Sequence, residues 1–471
     1  MGATEHLEVK LTQWAGKRAP DRPLANLKRR TPLADAARVR RVVRENALCA
    51  LMAGAASVTM AWLTLYGFTW NDYDEEARPA FDALVHGHAI EFLRLAPAYG
   101  GSLVERAPFA LATSLWGGGE LAVYRMVVLP CLVASAVLGI WLLSRMRAEG
   151  RSSLARAVTL GVCVANPITL SALEIGHPEE ILGACMCVTA VLLASRERSI
   201  SSGALLGLAI ANKEWALLAV GPVLLALPAR RRLPCLASAG AVVAAVLGPL
   251  MLVGSSGFVA GTRALVTATG ELFQPWQAWW FFGAPNHVPA PNGLTRAIPI
   301  GAPLSTHPQW RLAPPWLSSV PHPLIVAVGL GLGGALWLQR RRRRGTGTIG
   351  ERDALLLLAL VMLVRCLLDN WDVMYYLLPF VFALLAWEVR GSVKRPPVLA
   401  LSSTALAWIS FQWLPSHATP DIQAASFLAW SLPLVLLLAL ALYAPARALS
   451  EKRELLGQAR EPLRPAIADQ R

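Results

Sequence analysis

Ten long apolar stretches constrain this chain more than any other feature of its sequence. Most are close to the ~20 residues that a helix needs to cross the hydrocarbon core of a bilayer. They cover residues 47–68, 121–143, 154–173, 181–195, 233–253, 323–339, 354–368, 373–387, 397–413 and 425–443. Because 55% of the 471 residues are hydrophobic, the chain holds more apolar material than a soluble core of this length buries. The sequence therefore predicts an all-α polytopic membrane protein.

An eleventh apolar stretch, residues 200–228, is interrupted by Asn212, Lys213 and Glu214. It forms either two short spans or one re-entrant hairpin. In both cases the chain returns to the same side of the membrane, so the sides assigned to the following loops do not change. The prediction is thus a bundle of 10 to 12 transmembrane helices.

The positions of lysine and arginine predict the orientation of this bundle. Cytoplasmic loops are enriched in these residues, and here the enrichment falls on every second loop. The basic segments are residues 10–44, 145–156, 196–198, 230–232, 340–344, 390–395 and 445–471. Both termini are therefore expected on the cytoplasmic side of the bacterial plasma membrane, with two long extracytoplasmic loops at 69–120 and 254–322. This topology explains the net charge of +14 without binding of nucleic acid.

Three regions follow from the same pattern. Residues 1–46 form a basic cytoplasmic segment that we expect to be disordered, residues 47–444 form the transmembrane domain, and residues 445–471 form a basic cytoplasmic tail.

All seven cysteines fall within or at the ends of predicted spans, so they show neither a disulfide framework nor zinc-ligand spacing. We expect no metal site and no cofactor, and nothing resembles a soluble catalytic domain.

The first outer loop begins with four carboxylates in residues 71–76. Like charges crowded at a membrane edge favour a role with a proton, a cation or a substrate hydroxyl. Asp72 and Asp74 are the candidate catalytic residues. After Pro79 the apolar residues recur at helical spacing, which predicts an amphipathic helix lying on the membrane. The alternative is that the acids only cap this helix, whose dipole favours carboxylates at its N-terminal end.

Two further groups of polar residues interrupt the apolar sequence. Asn166-Pro167 falls inside a predicted span, and residues 174–180 at its outer end include His177 and Glu179. A histidine beside carboxylates binds phosphate or moves protons, although a surface histidine and a helix-capping glutamate would look the same. Lys213, between two hydrophobic segments, meets an anionic ligand or pairs with an acid, and Glu214 is the simplest partner.

The last group is residues 365–376, with Arg365 and Asp369 four positions apart. They form either a simple i,i+4 pair or a site in which Arg365 binds phosphate and the acids hold a hydroxyl. The aromatic residues of this group are either interfacial anchors or a stacking wall. The second outer loop is rich in tryptophan and proline at 273–287, which predicts a lid on the membrane.

These groups, in this order, resemble the polyprenol-phosphate-dependent glycosyltransferases with the C-type fold, and family 87 most closely. The resemblance rests on Asp72 followed by an aromatic-and-alanine helix ending in a glycine, then Asn166-Pro167, then residues 176–179, then Gly-Leu-Ala at 207–209 with Lys213. His177 and Glu179 replace the commoner Gln and Asn of the third motif. The first half of the chain fits well, and the second half only through residues 365–376.

The resemblance to this mannosyltransferase-like family implies transfer of a hexose, with mannose expected, from a polyprenyl-phosphate donor to a lipid or glycan hydroxyl outside the cytoplasm. Cations at the membrane edge would bind the leaving phosphate, and Lys213, Arg365 or His177 could supply them. Asp72 or Asp74 would take the proton of the acceptor, with inversion at the sugar. Glu179 and Asp369 would belong to the donor phosphate and sugar site. The rival readings are a secondary transporter or lipid-linked glycan flippase, and a ligase or polymerase of lipid-linked glycans.

Overall fold

The computed structural model describes residues 72–260, 272–285, 311–317, 319–345, 347–391 and 395–444, with residues 47, 51 and 54–59. The N-terminal segment 1–46, most of the first predicted span and the tail 445–471 lie outside the described residues, so their predictions stand as expectations. The described part is an all-α membrane protein, with three strands of two residues each in the second outer loop.

The helices follow the predicted spans closely. In chain order the elements are a π-helical turn Tyr73–Ala77, α1 Arg78–Val85, α2 Ala89–Arg94, α3 Gly100–Ala112, a 3-10 turn Thr113–Trp116, α4 Glu120–Ala148, α5 Ser153–Val164, α6 Pro167–Ile175, α7 Glu179–Ala194, α8 Ser199–Asn212, a 3-10 turn Glu214–Ala219, α9 Val220–Ala226, α10 Ala229–Leu252, β1 Leu272–Phe273, a 3-10 turn Trp280–Phe282, β2 Ala284–Pro285, β3 Arg311–Leu312, α11 Pro321–Arg344, α12 Glu351–Leu368, a 3-10 turn Met374–Leu377, α13 Leu378–Val389, α14 Val398–Trp408, a π-helical turn Ile409–Trp413, a 3-10 turn Leu414–Ser416 and α15 Pro420–Tyr443.

Six helical segments of the described chain are long and apolar enough to cross a membrane. They are Glu120–Ala148, Ser153–Ile175, Ala229–Leu252, Pro321–Arg343, Val398–Ser416 and Pro420–Tyr443. Helices α7, α12 and α13 are buried along nearly their whole length, whereas α10 and α15 expose leucines such as Leu252 and Leu440. Apolar side chains that the protein leaves uncovered are the surface expected to face lipid. The predicted fold class is confirmed.

Two apolar stretches are interrupted, one inside a predicted span and one at the predicted interruption, and each break lies at a residue pattern visible in the sequence. The span at 154–173 divides into α5 and α6 because Asn166 caps α6 by accepting a hydrogen bond from the Ile168 amide at 2.8 Å, while Pro167 takes the first helical position. The stretch at 200–228 breaks at Lys213, whose backbone is extended. Its two halves are the short helices α8 and α9, separated by a 3-10 turn.

Helix α1 confirms the predicted helix after Pro79 but not its place on the membrane surface. Phe81 and Leu84, which form its apolar face, are buried by other parts of the protein. The Phe81 ring lies 6.1 Å from the ring of Phe92 on α2. The acidic residues precede α1 in the π-helical turn, and Asp74 is buried there. The outer loop is therefore packed into the structure instead of resting on lipid.

The tryptophan-rich segment of the second outer loop is hydrogen-bonded to the end of α12. The Ala278 amide donates to the carbonyl of Leu367 at 2.8 Å, and the Trp279 indole donates to the carbonyl of Leu368 at 2.7 Å. The last carbonyls of a helix have no partner within the helix, so this segment caps α12. Strand β3 pairs with β1 and with β2, antiparallel in both cases. Asn286 and His287 lie outside the described residues.

Candidate active site

Four of the seven predicted site residues meet at the N-terminal end of α7. His177 Nε2 lies 3.2 Å from Asp72 Oδ2, and His177 Nδ1 lies 2.7 Å from Glu179 Oε1. Lys213 Nζ lies 3.4 Å from the same oxygen of Glu179. The sequence places these residues in three separate segments, and the fold brings them into one continuous group, which we call the outer cluster.

A glycine makes this approach possible. Gly176 ends α6 with a φ of +103°, a conformation that residues with a side chain rarely adopt. A Cβ atom at Gly176 would lie 2.5 Å from the backbone nitrogen of Tyr73. Because no side chain separates them, the turn that carries His177 lies directly against the segment that carries Asp72.

Glu179 is the centre of the outer cluster. Its side chain is fully buried, and in addition to His177 and Lys213 it pairs with Arg106, whose Nη2 lies 3.2 Å from Oε2. A buried carboxylate is strongly destabilising unless cations and hydrogen bonds compensate its charge, and here three cationic side chains do so. The surroundings of Glu179 are filled by the protein's own groups, which favours a role exerted through His177 over direct contact with a donor.

His177 is held as a cation between two carboxylates. Burial alone would lower the pKa of His177, but the charge of Glu179 and the hydrogen bonds to Asp72 and Glu179 outweigh it and raise the pKa to about 9. At neutral pH both ring nitrogens therefore donate a proton, one to each carboxylate. The imidazole lies between the rings of Tyr99 and Tyr375, at centroid distances of 5.3 Å and 5.1 Å.

The two candidate catalytic aspartates differ in their surroundings. The Asp72 side chain is 41% exposed, and its Oδ2 faces His177. The Asp74 side chain is 1% exposed and pairs with Arg78 at 3.2 Å. Arg78 also contacts Asp82 and Glu120. This placement favours Asp72 as the group that meets a substrate and gives Asp74 a part in holding the outer loop.

Lys213 pairs with acids of α7 and not with its neighbour Glu214. Its Nζ lies 3.5 Å from Glu180 Oε1 in addition to the contact with Glu179, and 4.2 Å from the centre of the Tyr99 ring. The interpretation that Glu214 is its simple partner is therefore not supported. Two carboxylates largely compensate the charge of this lysine, so less of it is available to an incoming anion.

Arg365 forms the second part of the site, and it lies among aromatic rings. Its guanidinium is 4.3 Å from the ring centre of Tyr376 and 5.4 Å from that of Trp215, and it donates to the Tyr376 carbonyl at 3.5 Å. Within the described residues it forms no ion pair with a carboxylate. The nearest cationic partner of Asp369 is His322, whose Nε2 lies 3.8 Å from Asp369 Oδ1, while Arg365 acts on Asp369 only at longer range.

Tyrosine side chains connect the two parts of the site. The Tyr375 ring contacts His177 on one side and the Tyr376 ring, at 5.2 Å, on the other. Arg365 and the outer cluster are thus separated by one pair of aromatic residues. A partly exposed carboxylate backed by a cation, next to a guanidinium packed between aromatic rings, can accept a proton at one point and bind an anion at another.

Sequence reasoning missed Arg106. It lies on α3 in the first outer loop, inside a run that is otherwise largely apolar apart from Glu105. An arginine in such a run is energetically unfavourable unless it finds a buried partner, and that was the available signal. Across the described residues no three His, Cys, Asp or Glu side chains converge in the manner of a metal site.

Comparison with known protein families identifies a match. The model of glycosyltransferase family 87 matches residues 101–368, which is more than half of the chain. This region contains Arg106, His177, Glu179, Lys213 and Arg365, whereas Asp72 precedes it. No curated protein and no solved structure matches the chain.

Proposed function

The chain belongs to glycosyltransferase family 87, and from that premise we propose that it transfers a hexose, most simply mannose, from a polyprenyl-phosphate donor to a hydroxyl of a lipid or glycan. Transfer would occur on the extracytoplasmic side of the cell membrane, with both termini in the cytoplasm. Family membership favours an enzyme over a secondary transporter or flippase. The placement of the charged groups outside the middle of the apolar helices favours the same choice.

The observation that carries this proposal is the contact between Asp72 and His177. The Asp72 side chain is partly exposed, and the His177 imidazolium, whose Nε2 lies 3.2 Å from Asp72 Oδ2, holds its carboxylate in place. An ionised carboxylate is the form that can accept a proton. In the proposed step Asp72 takes the proton of the acceptor hydroxyl as the oxygen attacks the anomeric carbon.

The leaving group is the second requirement of this chemistry. As the new C–O bond forms, the bond between the anomeric carbon and the phosphate oxygen breaks, and its electron pair stays with the polyprenyl phosphate. Arg365 is the group best suited to bind that phosphate, because its guanidinium forms no close ion pair with a described residue and presents several donors. His177 adds positive charge on the other side of Tyr375. A single displacement of this kind inverts the anomeric centre.

The remaining predicted site residues support Asp72 and Arg365. Lys213 and Glu179 stabilise one another and hold His177. Asp369, four positions after Arg365, would accept a hydrogen bond from a hydroxyl of the sugar. Trp215 and Tyr376 on the guanidinium form an apolar wall against which a sugar ring can pack. No nucleotide is required in this scheme, because the donor sugar arrives already activated on a lipid.

The proposal is tested by incubating the purified protein with polyprenyl-phosphate mannose and an extract of membrane lipids, followed by mass spectrometry of the products. We expect a lipid that is heavier by one hexose, together with free polyprenyl phosphate in equal amount. Parallel reactions use polyprenyl-phosphate glucose and a nucleotide-activated mannose. A hexosylated product that forms with nucleotide-activated mannose but with neither polyprenyl-phosphate donor would contradict the proposal.

A further inference from the structure

Arg106 is among the most deeply buried charged residues of the described chain. Its side chain is 1% exposed, and its Nη2 donates to the Glu179 carboxylate at 3.2 Å and to the Ser102 hydroxyl at 3.1 Å. Its Nε donates to the Ser102 carbonyl at 3.1 Å. Since α3 itself anchors the guanidinium through Ser102, the position of Arg106 is fixed independently of Glu179.

The two oxygens of Glu179 have different partners. Oε2 accepts from Arg106, and Oε1 faces His177 at 2.7 Å and Lys213 at 3.4 Å. If Arg106 were absent, the carboxylate could rotate toward Lys213, and the bond that orients the His177 ring would be lost. The backbone of Glu179 is itself held, because Asn212 donates to its carbonyl at 2.8 Å.

We propose that Arg106 is a positioning residue of the sugar transfer: by fixing Glu179 it keeps the His177 imidazolium directed at Asp72. This inference rests on the proposed function, in which Asp72 meets the acceptor. Arg106 does not touch the substrate in this scheme. Its effect passes through three contacts, of 3.2 Å to Glu179, 2.7 Å from Glu179 to His177 and 3.2 Å from His177 to Asp72.

The pKa of His177 depends on the charged and aromatic groups around its ring. Asp72 comes from the first outer loop, Glu179 from α7 and Lys213 from the end of α8, and the rings of Tyr99 and Tyr375 contact the imidazole. The two carboxylates favour the charged imidazole and Lys213 disfavours it. Loosening Glu179 therefore makes His177 lose its proton at lower pH.

The test compares the full-length Arg106→Gln and Arg106→Lys proteins with the wild type, using polyprenyl-phosphate mannose and lipid extract between about pH 6 and pH 10. We expect Arg106→Gln to lower kcat by ~10- to 100-fold, as displaced catalytic groups do, with KM for the donor changed by less than about twofold. The alkaline limb of the pH profile should move to lower pH by about one unit. Arg106→Lys restores the charge but not the planar geometry, so it should recover part of the rate.

Arg151 provides a matched control. It is also a buried arginine, and it pairs with Glu149 and donates to the carbonyls of Val389 and Gly391, away from the outer cluster. Arg151→Gln should lower thermal stability without moving the alkaline limb. If Arg106→Gln likewise lowers stability but leaves the limb in place, Arg106 is only structural and the proposal is overturned.

Glu179→Gln keeps the test decisive if Arg106→Gln does not fold. It preserves side-chain volume and removes the charge that favours the His177 cation, so the same shift of the alkaline limb is expected. An unshifted limb in Glu179→Gln would overturn the positioning role. Failure of the proposed function is distinguishable, because the wild type itself would then transfer no hexose from polyprenyl-phosphate mannose, whereas failure of the positioning role leaves wild-type transfer intact.

Discussion

Replacing His177 with glutamine removes a cation that two carboxylates hold in place. Folding raises the pKa of His177 from its ordinary value of 6.5 to about 9. At ~1.4 kcal/mol per pKa unit, this difference corresponds to roughly 3 kcal/mol of folding stability. Because the folded-state pKa is the higher one, this contribution is complete below pH 6.5. It is lost as the pH rises through about 9.

The assay is thermal unfolding of the protein in detergent micelles across this pH window, for the wild type and His177→Gln. Glutamine does not titrate, so the stability advantage of the wild type should be large near pH 6.5 and shrink by roughly 3 kcal/mol as the pH passes about 9. His86, an exposed histidine on the outer loop, gives the control His86→Gln, which should follow the wild-type curve. Parallel curves for the wild type and His177→Gln would refute the argument that His177 is a buried cation.

The remaining predictions concern the second aspartate, the phosphate site and the topology. Asp74→Asn breaks a buried ion pair, so it should lower the free energy of unfolding by ~1–3 kcal/mol while turnover per folded molecule is kept; a loss of turnover at unchanged stability would contradict this. Arg365→Gln should raise KM for the polyprenyl-phosphate donor by about tenfold or more, whereas the control Arg94→Gln, at an exposed arginine, should not. A donor KM of Arg365→Gln equal to that of the wild type would refute the assignment. A cysteine introduced at Trp316 should react with an impermeant thiol reagent on intact cells and one at Arg230 should not, and the reverse pattern would overturn the orientation.

The spans could be predicted because the length of an apolar stretch and the bilayer thickness determine them almost alone. The breaks at Asn166-Pro167 and Lys213 were also visible, since a capping residue followed by proline and a charged residue among apolar ones are local signals. The surface position of α1 was predicted wrongly. An apolar helix face has the same sequence pattern whether it packs on lipid or, as Phe81 does, on protein.

The partners of the charged residues could not be predicted, because they are set by contacts between distant segments. His177 was a candidate, but its approach to Asp72 depends on the close contact of Gly176 with Tyr73. Arg106 comes from a different loop from its partner Glu179, 73 positions away. By contrast, the pair of Asp74 with the residue four positions later follows helical spacing, and the sequence contained enough information to predict it.

The most direct test of the account measures hexose transfer by Asp72→Asn with polyprenyl-phosphate mannose as donor. Asparagine is nearly isosteric with aspartate and cannot take a proton from the acceptor. The variant should fold and bind the donor as the wild type does, while kcat falls by ~10²- to 10⁴-fold. An Asp72→Asn protein that transfers hexose at the wild-type rate would contradict the assignment of Asp72 as the base.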